Sequence, residues 1–170
     1  INLTDFWKYD RFYNTGSNAK SDTKGFWCGN IKAGVNYNFD DHNNAFFNIG
    51  YNSKAPQFKS GVFMSPTSSN VINDRVKNEK SFSTELGYSF HNRWLVFKAN
   101  AYYTKWLDKS MTKKGKITEQ YYINMTGVNS KHIGLEFELR ATPAQWVEAG
   151  AMLSLGNWKW DSDNVKGYAY

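Results

Sequence analysis

Paired carboxylates are the first residues whose spacing suggests chemistry. Glu136 and Glu138 lie two positions apart in "HIGLEFELRA", so in a strand they share one face. Such a pair invites a glycosidase reading, in which one acid protonates the leaving group while the other assists displacement. A solvated wall of mixed charges produces the same spacing with no reaction, and the sequence favours it. The three histidines, His42, His91 and His132, are far apart. His42 and His91 fall in short turns. His132 is expected to open a strand at the loop side, where it either caps the strand or meets a ligand. Cys28 is the single cysteine and lacks any ligand-spacing partner, so a plain free thiol is expected. No Gly-rich phosphate loop is present. With no catalytic constellation, the expectation is no enzyme, no cofactor and no metal.

Binding chemistry remains. Trp106, Trp158 and Trp160 end strand-like stretches at the loop side, and Tyr121 and Tyr122 lie in a long polar segment. With His132 they are the six candidate ligand-binding residues. Aromatic rings beside polar groups suit stacking on a sugar or a planar siderophore. They equally suit an interfacial aromatic girdle or loop packing. Lys105, Lys109, Lys113, Lys114 and Lys116 form a basic run that faces either anionic lipopolysaccharide or water. The net charge of +6 is compatible with nucleic acid. The signs mix along the strands, however, with no basic stripe between exposed aromatics, so nucleic-acid binding is not expected.

These residues need elements to hold them, and those elements alternate. In "WCGNIKAGVNYNFDDHNNAFFNIGY", Trp27, Ile31, Ala33, Val35 and Tyr37 share one parity, while Cys28, Asn30, Lys32, Asn36 and Asn38 take the other. The pattern resumes with Ala45, Phe47, Ile49 and Tyr51. It returns around Phe82–Phe90, Leu95–Tyr103, Ile133–Ala141 and Val147–Leu155. Period-2 alternation predicts strands with one apolar and one polar face, about seven in all, and no helix signal interrupts them. The opening "TDFWKYDRFY" is β-prone but alternates poorly. The 170 residues suffice for one domain, and no apolar run is long enough for a membrane helix. The sequence begins with Ile1, and no signal peptide is expected in its first residues.

The connections favour lipid as the partner of the apolar face. Short turns ("DDHN", "HN", "TPAQ") alternate with long loops near 14–23, 53–79, 107–126 and 161–170. In an up-and-down meander this collects the short turns at one end, as in an outer-membrane barrel. Aromatics crowd that end, including Phe39, Phe90, Trp94 and Trp146, where an interfacial girdle belongs. The other face carries Lys32, Glu85, Lys98, Glu136, Glu138, Arg140 and Glu148, which need water. A soluble β domain with a dry apolar core is the alternative.

Several segments resemble a known family. They are "FFNIGYNSKAPQF", "NDRVKNEKSFSTELGYSF", "KANAYYTKWLDK" and "NMTGVNSKHIGLEFELRATPAQWVEAGAMLSLGNWKW". From about Lys24 to Trp160 they resemble the barrel of TonB-dependent outer-membrane receptors. The resemblance implies a 22-stranded transmembrane β-barrel, filled by a plug domain and driven by an inner-membrane energy-coupling complex. It implies uptake of a scarce nutrient such as a siderophore, vitamin or glycan, and an outer-membrane location beside lipid and lipopolysaccharide. About seven strands make only part of such a barrel, so residues 1–170 are expected to be a fragment, and the final "KGYAY" a chance ending. The rival functions are a small outer-membrane barrel or adhesin, and a soluble carbohydrate-binding β domain.

Parity and charge also suggest registers. A two-residue turn at His91-Asn92 sets Phe90 opposite Arg93 and Glu85 opposite Lys98. In the hairpin around Pro143, the favoured register sets Arg140 opposite Glu148.

Overall fold

The computed structural model describes residues 1–8, 19–64, 69–114, 122–162 and 166–169. Every alternating stretch is a strand. The order is β1 (Asn2–Phe6), β2 (Lys24–Asn38), β3 (Asn43–Lys54), β4 (Glu79–His91), β5 (Leu95–Lys114), β6 (Tyr122–Ala144), β7 (Val147–Trp160) and β8 (Lys166–Ala169). β1 to β7 lie side by side in sequence order, each antiparallel to the next, and β8 pairs with the start of β6. The sheet is open, with β1 and β7 at its edges among the described residues.

Two expected loops contain strand. β5 runs on to Lys114 and β6 begins at Tyr122, so most of 107–126 is a tall hairpin. A shift of register on each side of Lys109, with Asp108 and Gly127 at positive φ, breaks the alternation there. That break is why the period-2 signal fades while the ladder continues. Residues 166–169 are a short strand rather than loop, held by backbone pairing to Ile123–Thr126. Residues 14–18 of the first expected loop lie outside the described residues.

The turns explain the registers. At 40–43 the Asp40 carboxylate accepts the backbone N–H groups of His42 (2.7 Å) and Asn43 (2.8 Å). The second turn centres on Arg93-Trp94 rather than His91-Asn92. The Asn92 side-chain oxygen accepts the N–H of Trp94 (3.0 Å) and Leu95 (2.8 Å), an Asx turn that fixes Asn92 at its first position. Phe90 therefore faces Phe97, and Glu85 faces Tyr102 instead of Lys98. Lys98 faces Glu138 on the other neighbouring strand and pairs with it at 3.1 Å. In the third hairpin, Arg140 lies opposite Gly150, one step from the expected register. It still reaches Glu148 diagonally, at 2.8 Å. The irregularity between Ala141 and Ala144 takes up the difference.

The buried cluster lies on the polar-face parity. Phe26 and Cys28, of that parity in β2, are covered by Val62, Phe63 and Val76 from the segment after β3. Phe6, Ala55, Phe58 and Ile72 pack around them. The described parts of this segment, 55–64 and 69–78, make one wide helical turn at Phe58–Val62 and are joined by a Phe63–Ile72 bridge. Asn73 is buried and ties the fold together, donating its side-chain N–H to the Gly61 carbonyl and its backbone N–H to that of Val62. Among the described residues nothing packs over the opposite, apolar face. Trp27, Ile31 and Val35 are 71, 70 and 64% exposed, and Phe47, Leu135 and Leu153 are also exposed. Phe97 and Phe137 are half-buried. These side chains form no dry core.

Candidate functional site

Two of the six candidate residues gather with a tyrosine on the polar face, high on β5 to β7. His132 lies directly opposite Trp158. Their rings are 6.0 Å apart and tilted at 32°. Trp158 Nε1 donates to the Tyr102 hydroxyl at 3.1 Å. Trp106 and Trp160 both face Ser130, one position further up. Trp106 carries the Lys109 ammonium over its ring at 4.8 Å. His132 thus sits within β6 rather than opening it, because β6 starts ten residues earlier. Trp106, Trp158 and Trp160 share the parity of Lys98, Glu138 and Arg140. A girdle belongs to the other face, so these three are not part of one. Tyr122 begins β6 opposite Lys114. Tyr121 lies outside the described residues.

Glycines make the floor. Gly134 lies opposite both Tyr102 and Gly156. A Cβ at Gly134 would run into the Tyr102 ring, and one at Gly156 would come within 2.9 Å of the Trp158 indole. With no side chains there, the phenol and the indole lie down against the sheet and meet each other. Beside them, at the same height, a hollow of about 540 Å³ extends toward β2, lined by Lys32, Asn48, Ser83, Glu85, Tyr102 and Thr104. Glu85 accepts hydrogen bonds from Asn100 (2.7 Å) and Asn48 (3.4 Å). The segment 55–78 packs on the same face, against β2 and the upper parts of β5 and β6.

Sequence inspection missed Tyr102, Glu85 and the two glycines. The signal was available for Tyr102, which falls on the polar parity between Asn100 and Thr104. The carboxylates first singled out do not work as a pair. Glu138 engages Lys98, while Glu136 lies opposite Asn100 and Ser154. Among the described residues no group of histidine, cysteine and carboxylate side chains could hold a metal ion. The rings of His132 and Trp158 and the Tyr102 hydroxyl can stack on and hydrogen-bond a ligand.

A meander with a bare apolar face, a charged face and its short turns at one end defines the wall of a membrane β-barrel. The family model described as TonB dependent receptor-like, beta-barrel, matches residues 4–170, and the chain belongs to that family. This is a family of outer-membrane receptors that transport. No curated protein and no solved structure gives a significant match.

Proposed function

We propose that this chain is part of the barrel wall of an outer-membrane receptor that imports an extracellular nutrient by energy coupling, and that it binds rather than transforms its ligand. The apolar face lies in lipid beside lipopolysaccharide. The polar face lines the lumen, where a plug domain and an inner-membrane coupling complex complete the transporter. The ligand class is a siderophore, vitamin or glycan. Amide, hydroxyl and aromatic groups dominate the upper lumen, which favours a polyhydroxylated ligand such as a glycan. The observation that carries this reading is the Tyr102–His132–Trp158 cluster, set on glycines and facing a polar hollow.

The test is uptake by cells carrying the whole receptor, measured across a panel of glycans, siderophores and vitamins. Trp158→Ala should lower the affinity for the imported compound roughly 5- to 30-fold, as expected for loss of one stacked ring and its contact area. The folded barrel should persist, seen as an unchanged mobility shift on heating in detergent. Uptake indifferent to Trp158→Ala and Tyr102→Ala together would remove the cluster from the ligand path.

A further inference from the structure

The apolar face carries a feature that the lumen reading does not use. From Leu95 to Tyr103, β5 presents apolar side chains at every second residue, opposite Ala141, Leu139, Phe137, Leu135 and Ile133. Those eight steps span about 27 Å of strand, or about 21 Å of barrel height at a tilt of about 40°. This is close to the height of a hydrocarbon band. Immediately above it, the same face changes character. Phe82 lies opposite Lys105, Lys105 opposite Lys131, and Lys131 opposite Lys159.

Three lysines therefore stand in one cross-strand row, about 5 Å above the apolar band, where lipid headgroups begin. Directly opposed like charges destabilise a sheet. Asp161 answers one of them, with its carboxylate 3.7 Å from Lys105 Nζ. Lys131 lies over the Tyr103 ring at 5.6 Å. Lys159 is exposed. Among the described residues no second carboxylate pairs with the row, which keeps an excess of two positive charges. Lys109, from the basic run noted in the sequence, is directed instead to Trp106 on the opposite face.

We propose that Lys105, Lys131 and Lys159 form a ridge that binds the phosphate groups of the outer-leaflet glycolipid, lipopolysaccharide. A phosphate monoester supplies the missing negative charge at the right height, and ammonium groups hold it as point charges. The ridge would fix the rotation and depth of this part of the barrel in the outer leaflet. The proposal rests on the reading of the apolar face as lipid-facing.

The whole receptor, purified in detergent, is titrated with lipopolysaccharide, with the same lipopolysaccharide after phosphatase treatment, and with inorganic phosphate. Wild-type receptor should bind the phosphorylated glycolipid. The double variant Lys131→Gln, Lys159→Gln should bind it roughly 30-fold more weakly, each lysine near an anionic surface contributing roughly five-fold. Phosphatase treatment should cause a similar loss for the wild type, an arm that needs no variant to fold. Lys131→Arg should retain binding. Equal binding before and after phosphatase treatment, or by wild type and double variant, would overturn the ridge. Full competition by millimolar inorganic phosphate would overturn the glycolipid as its occupant. A spin label at Leu153→Cys tests the underlying face separately, by its collision rates with oxygen and with a water-soluble relaxant. A label in lipid with phosphate-indifferent binding sinks the ridge alone, and a label in water sinks both.

Discussion

Single side chains set both the turns and the candidate site. Trp158 and Tyr102 meet only because Gly134 and Gly156 leave the sheet surface free beneath them. At the other end, one carboxylate organises a turn. The backbone N–H of His42, then the Asn43 side chain, hold the Asp40 carboxyl below its ordinary range, outside the membrane-spanning strands. A carboxyl depressed in the folded state contributes stability above its unfolded pKa and loses it as pH falls through the folded value. Amide exchange at His42 and Asn43 should thus stay slow through the ordinary carboxylate range and quicken only below it. Asp40→Ala should exchange quickly at neutral pH and lose that acid-dependent step. Identical exchange profiles for the two proteins would show that Asp40 does not hold the turn.

At the scale of the strand, the two faces carry different tolerances. Leu135 and Glu136 are neighbours on β6 and point to opposite sides. Leu135 lies near the middle of the apolar band, where Arg on the lipid face costs about 2–4 kcal/mol. Leu135→Arg should therefore lower barrel stability by about that amount in bilayer refolding titrations. Glu136→Gln should change it by less than about 0.5 kcal/mol. Similar costs for both would mean that the faces are misassigned. The ion pairs along the polar face work differently. Lys98–Glu138 and Arg140–Glu148 are half exposed, so each contributes at most about 1 kcal/mol and chiefly discriminates between registers. Arg140 shows the limit of that discrimination, since a diagonal Glu148 satisfies it as well as an opposite one would.

For the whole molecule, the decisive arrangement is a bare outer face and a partly roofed inner one. The roof, 55–78, is anchored at several points. Val62 and Phe63 are buried completely or nearly so. The strand ends that flank the roof are tied to each other, Lys54 of β3 pairing with the buried Glu79 of β4 at 3.0 Å and Glu79 accepting the Ser110 N–H of β5 at 3.2 Å. Asn78 reaches the Trp27 carbonyl and Ser53. These contacts seat the described residues 55–64 and 69–78 on the polar face of the sheet. Phe63→Ala removes a fully buried ring, a loss of about 3–5 kcal/mol in comparable cores. In the intact receptor it should make 55–78 sensitive to added protease while the strands stay resistant. Continued resistance of that segment would show that the aromatic cluster is not what seats it.

The sequence by itself determined the strands, their antiparallel order, the two faces and the ends at which turns and long connections collect. Those properties follow from period-2 alternation and turn chemistry, which act between neighbours along the chain. It placed Trp106, Trp158 and Trp160 at the loop-side ends of strands, and the ladder then set them on the polar face. The tertiary structure alone decided the registers, because a two-residue shift preserves every face and only turn geometry distinguishes the choices. It alone turned 107–114 and 122–126 into ladder, since bulges hide alternation without ending pairing. It alone brought Phe26 and Cys28 under Phe63, and Tyr102 onto Gly134, contacts between residues 32 to 37 positions apart. The lysine row divides the same way. Its three members were visible one by one at odd positions, but only the ladder set them side by side, because opposition across strands is a property of register rather than composition.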